Sequence, residues 1–129
     1  MASNLVANGV FSEGLNAWNL QGNVTLLTGA LDRGACLQDR DSALEQTLTL
    51  SNADGDTQYR LRVRAKGNGW ITIIANDTPN PHRLFFSCPQ WTIREDYFYS
   101  NNTQCQIKLN SEDSGFLVDW VEVTPVGAT

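Results

Sequence analysis

The chain is poor in the residues from which most catalytic and metal centres are built. It contains one histidine and three cysteines in 129 residues, and no Cys-x-x-Cys pair. A zinc or redox centre needs several such ligands at short, fixed spacings, so a metal site made of Cys and His is not expected. His82 lies in Asn-Pro-His-Arg with no nucleophile motif beside it, and Gly-x-Ser-x-Gly does not occur. Neighbouring carboxylates are present at Asp39/Asp41, Asp54/Asp56, Glu95/Asp96 and Glu112/Asp113. Most of them fall in turn-forming stretches, where Asp and Glu belong for backbone reasons. The sequence therefore gives no support to catalysis.

Other absences narrow the class further. No long apolar run could form a transmembrane helix, so no membrane partner is expected. No basic-plus-apolar leader opens the chain, and the expectation is a secreted or extracellular domain whose signal peptide has been removed. Nine Lys and Arg against 14 Asp and Glu leave a net charge of −5, which argues against a general nucleic-acid binder. Helical periodicity, internal repeats and Pro/Ser-rich linkers are all missing, so residues 1–129 read as one domain large enough for a real core. The odd cysteine count leaves one thiol over if a disulfide forms. Cys88 and Cys105 are the expected pair, with Cys36 a buried thiol; three reduced core cysteines are the alternative.

What the chain does have is alternation. Short runs of apolar and polar residues with period two are separated by Gly, Asn, Asp and Pro clusters, which predicts an all-β domain. Strands are expected at 5–6, 18–20, 23–28, 35–38, 44–50, 58–66, 70–76, 82–87, 90–100, 104–109 and 115–124. Gly67-Asn68-Gly69 is expected to be a hairpin turn, because those residues accept positive φ. Two antiparallel sheets packed as a β-sandwich jelly roll are the natural architecture. In 58–66, Tyr59, Leu61, Val63 and Ala65 should face inward, with Arg60, Arg62, Arg64 and Lys66 outward. Leu44, Gln46, Leu48 and Leu50 share a face. Leu61, Val63, Ile71, Ile73, Phe98, Leu117, Val121 and Val123 are the predicted core. The last strand puts Asp119 on the face of Leu117, Val121 and Val123, and a carboxylate there needs a cation or several backbone N–H groups.

The two ends of the chain carry a more specific signal. The opening holds Asn4, Leu5, Asn8, Gly9, Phe11, Gly14, Leu15 and Trp18; the closing strand holds Asp119 and Val121. In these positions the chain resembles the β-jelly-roll carbohydrate-binding modules of the xylan- and glucan-binding type, within the galactose-binding-like superfamily. The resemblance implies a non-catalytic domain that binds a polysaccharide or oligosaccharide through an aromatic and polar cleft on one sheet, attached in its parent protein to a glycoside hydrolase. It also implies a core role for Trp18, a structural role for Trp91, and a structural Ca2+ where the chain ends meet. Asp119 matches the family's acidic ligand, whereas Ser12 replaces the usual Glu and Glu13 is displaced by one position.

Sugar rings offer apolar C–H faces to aromatic planes and hydroxyls to polar groups. The candidate site is therefore Trp70, Tyr97 and Tyr99 with Arg62 and Arg64, on the face opposite the aliphatic residues. Arg gripping carboxylates bidentately would suit a uronate-bearing chain. The competing reading is a structural or protein-interaction jelly roll without a glycan ligand.

Overall fold

A computed structural model of the chain describes residues 5–11, 13–29, 33–40, 42–50, 57–75, 82–100, 104–112 and 115–126. The opening Asn4, Ser12, the turns expected at 52–56 and 100–103 and the loop at 76–81 fall wholly or largely outside these residues. The described chain is all-β. Its strands are β1 (Asn19–Gln21), β2 (Val24–Thr28), β3 (Arg33–Leu37), β4 (Ala43–Thr49), β5 (Thr57–Ala75), β6 (His82–Ser100), β7 (Gln104–Ser111) and β8 (Phe116–Pro125). All pairings are antiparallel, in the order β1-β4-β7-β5-β8-β3-β2, with β6 also on β5.

The organising feature is the long β5. One edge pairs with β6 along its length. The other edge runs beside β8 from Tyr59 to Lys66, then beside β7 from Gly69 to Ala75. One strand thus belongs to both halves of the sandwich. Residues 67–69, expected to be a hairpin turn, lie inside the strand where it exchanges partners. Gly69 is required there: a Cβ would meet the Phe116 ring and stand 2.5 Å from the Asn110 carbonyl oxygen. The separate runs expected at 82–87 and 90–100 are likewise one strand. Its register shifts between Ala65 and Gly67, so that Pro89, Gln90 and Trp91 oppose Lys66. A proline lacks an N–H for the ladder, and such a bulge is where a strand tolerates it. Leu5 makes one ladder-like bond, from its N–H to the Val123 carbonyl, and is not part of a strand.

The inward phase of β5 holds throughout: Tyr59, Leu61, Val63, Ala65, Ile71 and Ile73 are all buried. Leu44, Gln46, Leu48 and Leu50 are buried as expected. Gln46 pins the opening segment, accepting from the Ala7 N–H (2.9 Å) and donating to the Ala7 carbonyl (3.0 Å). The last strand departs from the predicted phase. Arg64 pairs with Trp120 while Ala65 pairs with Val118, so Asp119 is an extra residue bulged into β8. The bulge reverses the alternation before it. Phe116 and Val118 are core, and Leu117, predicted to be core, is only half-buried. Phe86 and Phe116 meet at 5.9 Å across the interior.

The opening motif is a compact turn centred on Asn8. Its side chain donates to the carbonyls of Gly14 and Asn16 and accepts from the Glu13 N–H; its own carbonyl accepts from the Trp18 indole. Asn8 is left-handed at φ 52°, a conformation that Asn tolerates well. Phe11 stacks on Trp18 at 5.7 Å, which confirms Trp18 as a core residue. Cys36, Cys88 and Cys105 are thiols, so the expected Cys88–Cys105 disulfide is absent; Cys88 and Cys105 are buried, and Cys36, expected to be buried, is only half-buried.

Candidate functional site

Cross-strand register decides what stands beside the outward arginines. Arg60, Arg62 and Arg64 lie opposite Tyr97, Glu95 and Ile93 on β6, and opposite Thr124, Glu122 and Trp120 on β8. Gln58 lies opposite Tyr99. Directly opposed residues share a face. Tyr97 and Tyr99 are therefore on the same face as Arg62 and Arg64, and both tyrosines are exposed (39% and 58%). This part of the candidate site comes together as expected.

Trp70 does not join it. It has the same outward parity on β5 but sits beyond the partner exchange, opposite Phe85 and Asn110. Its ring tilts against Phe85 at 6.3 Å, and Phe85 is 60% exposed. With no hairpin at 67–69, nothing folds Trp70 back beside the arginines. Trp70 stands six positions along the strand from Arg64, about 20 Å.

Two tryptophans occupy the place expected for Trp70. Arg62 lies over the Trp120 ring at 5.6 Å, and Arg64 over Trp91 at 4.6 Å, with Lys66 over the same ring at 5.4 Å. Trp91 arrives there because the β6 bulge carries it opposite Lys66. The sequence signal for it is faint: a tryptophan two residues after a mid-strand proline. Cations already cover one face of each tryptophan, leaving Tyr97 and Tyr99 as the open aromatic planes. A hollow of about 250 Å³ is lined by Val10, Arg62, Trp120, Val121 and Glu122.

The charges on this face are matched unevenly. Arg64 Nη1 meets Asp119 Oδ2 at 2.6 Å, and the Asp119 side chain is only 6% exposed. The bulge turns Asp119 towards Arg64 and so supplies the cation its burial demands. Gly34 permits the geometry, since at φ 102° its Cα faces the Val118 carbonyl and a Cβ would collide with it. The other ion pairs are looser. Arg60 Nη2 and Arg62 Nη1 stand 3.9 and 3.8 Å from the same Glu122 oxygen, and Arg62 Nε stands 3.6 Å from Glu95.

A second hollow, of about 400 Å³, also borders Trp120 and Val10, with Phe11, Leu26, Leu27, Gly29, Gly34 and Asp119 in its wall. It adjoins the region where the resemblance implies Ca2+. Asp119 is the only carboxylate in that wall among the described residues, and Glu13 is exposed on the opening turn. No group of three or more His, Cys, Asp or Glu able to hold a metal occurs among the described residues. Calcium wants six or more oxygens, so these side chains alone do not fit it.

Away from this face, burial pushes the Cys88 thiol up, but hydrogen bonds from Thr92 and Arg94 and the Arg94 charge outweigh it. Its pKa is lowered below the ordinary thiol value.

No protein-family model matches the chain. Among curated proteins it is 30% identical over 134 residues to the pesticidal crystal protein Cry12Aa of Bacillus thuringiensis, covering 98% of this chain and 10% of that protein. It is 26% identical over 123 residues to Cry14Aa of Bacillus thuringiensis subsp. sotto, covering 93% and 10% respectively. The chain thus spans about a tenth of the length of these relatives. Among solved structures, a CBM4 carbohydrate-binding module superposes with a TM-score of 0.64 at 16% identity, over 93% of this chain and 99% of that one. TmCBM61, solved with β-1,4-galactotriose, gives 0.64 at 14% identity over 94% and 97%. The fold is that of the β-jelly-roll carbohydrate-binding modules, as the chain's opening and closing motifs implied.

Proposed function

We propose that the domain binds a polysaccharide, without catalysis, on the outer face of β6, β5 and β8. Tyr97 and Tyr99 supply the stacking planes. Arg62 and the hollow beside Trp120 supply polar contacts and a recess for a ring or its substituents. The observation that carries the reading is the placement of two exposed tyrosines on the face of Arg62 and Arg64, since an exposed aromatic row flanked by fixed hydrogen-bond donors is what a sugar chain requires. The shared fold supports it. In a longer protein such a module would hold the remainder at a glycan-bearing surface outside the cell, whether that remainder is a glycoside hydrolase or resembles the crystal-protein relatives.

Affinity electrophoresis of the purified domain against xylan, β-glucan, mannan and a polyuronate is the test. Retardation by at least one polymer, relieved by Tyr97→Ala or Tyr99→Ala, is the expected result. Retardation by none would reject the reading.

A second reading, an interaction domain within an assembly, is favoured by the exposed Phe85 packed on Trp70 and by relatives that are crystal proteins. A Phe85→Ser variant that loses self-association while keeping glycan binding would separate the two faces.

A further inference from the structure

The glycan reading leaves the class of sugar open, and the arginines narrow it. Arg64 is held at hydrogen-bond distance by a carboxylate, Nη1 to Asp119 Oδ2 at 2.6 Å. Arg60 and Arg62 are not. They straddle one Glu122 oxygen at distances too long for hydrogen bonds, and the Nε atoms of both are buried without a hydrogen bond, that of Arg62 standing 3.6 Å from Glu95 Oε2. Their side chains remain 37% and 34% exposed, so the guanidinium ends are open to solvent. Buried donors without partners are unusual, and each asks for an explanation. The charge balance points the same way. On a chain of net charge −5, this face gathers Arg60, Arg62, Arg64 and Lys66 against Glu95, Glu122 and the already paired Asp119.

We propose that Arg60 and Arg62 form a carboxylate clamp, so that the polysaccharide taken by this face is an acidic one bearing uronate residues. This rests on the glycan-binding reading above. In the free domain Glu122 fills the clamp loosely. When ligand arrives, a uronate carboxylate takes one or both guanidinium edges in charge-assisted bonds, while Tyr97, opposite Arg60, stacks on an adjoining ring. Glu122 is then a resident competitor that sets a threshold for binding.

The test compares glucuronoxylan and polygalacturonate with the same polymers after chemical reduction of their carboxyl groups, by titration calorimetry in 0.15 M salt. Native polymer should bind about tenfold tighter than reduced polymer, the scale expected of a charge-assisted pair. Arg62→Gln should erase that difference. Glu122→Gln should tighten binding to the native polymers, an effect that loss of folding cannot mimic. Equal affinity for native and reduced polymers would overturn the clamp and leave the glycan reading standing. Binding to neither would overturn both. Binding to dextran sulfate as tight as to the uronates, and indifferent to Tyr97→Ala, would also overturn the clamp, because it would mark simple ion exchange.

Discussion

The two halves of β5 have the same alternation and opposite characters. From Tyr59 to Lys66 the strand runs beside β8, and its outward side chains are Arg60, Arg62, Arg64 and Lys66, meshed with Glu95, Glu122, Trp91 and Trp120. From Gly69 onward it runs beside β7, and its outward row holds Trp70 and Ile74 with the buried Thr72 between them, Phe85 lying across from Trp70. Parity along a strand says which side of the sheet a residue faces. It does not say which neighbours it meets, because those depend on the strands alongside. Where a strand changes partner, one outward row becomes two surfaces, here one of arginines among carboxylates and tryptophans and one of Trp70 and Phe85 among polar neighbours.

The largest effect should come from breaking the first half at its anchor. Asp119→Ala leaves Arg64 without its carboxylate and removes an ion pair that is buried on the Asp119 side and one-third exposed on the Arg64 side, at a cost of about 2 kcal/mol in chemical denaturation. Arg64→Ala should cost a similar amount, because the buried Asp119 carboxylate loses its guanidinium partner. Arg62→Ala, whose ion pairs are longer and more exposed, should cost less than about 1 kcal/mol. Equal costs for Arg62 and Arg64 would erase the distinction between anchored and open arginines.

Next in size is the junction between the halves. Gly69→Ala would press a methyl group into the fully buried Phe116 and the Asn110 backbone. Overpacking of this kind costs about 2 kcal/mol. A melting temperature unchanged by Gly69→Ala would mean that the exchange of partners is looser than described.

The comparison sharpens most directly in binding. Tyr97→Ala should weaken glycan affinity about fivefold, near 1 kcal/mol, with little change in stability, as for an exposed substitution. Phe85→Ala should leave glycan affinity unchanged. The reverse pattern would move the site to the half beside β7.

The smallest effect is chemical. Thiol titration of the unfolded protein should find all three cysteines reactive, since they form no disulfide. In the folded protein Cys88, with its pKa lowered, should keep its thiolate to lower pH than an ordinary cysteine. Its alkylation should fall off only as pH drops through that lowered value, although burial will slow the absolute rate. Loss of reactivity at the same pH as a model thiol would remove Arg94 and Thr92 as its partners.

Much of this molecule could be read from residue order alone, and the reason is local. Alternation depends only on backbone geometry, so the inward rows of β4 and β5 and the all-β class followed from spacing. The opening turn was legible because Asn8, Gly14 and Trp18 are close in sequence and complete their contacts among themselves. The ends of the chain carried the jelly-roll signal. Tertiary structure decided the rest. A Gly-Asn-Gly triplet suits a tight turn and an extended strand equally well; Phe116 and Asn110, distant in sequence, crowd Gly69 and keep it in the strand. The bulge at Asp119 inverted Leu117 and Phe116, and period-two reasoning cannot register a single inserted residue. The β6 bulge delivered Trp91 to Arg64, while the change of partner carried Trp70 away. Each of these outcomes depends on which strand lies alongside, a long-range pairing that residue order constrains only weakly, because the backbone groups that form it are the same at every position.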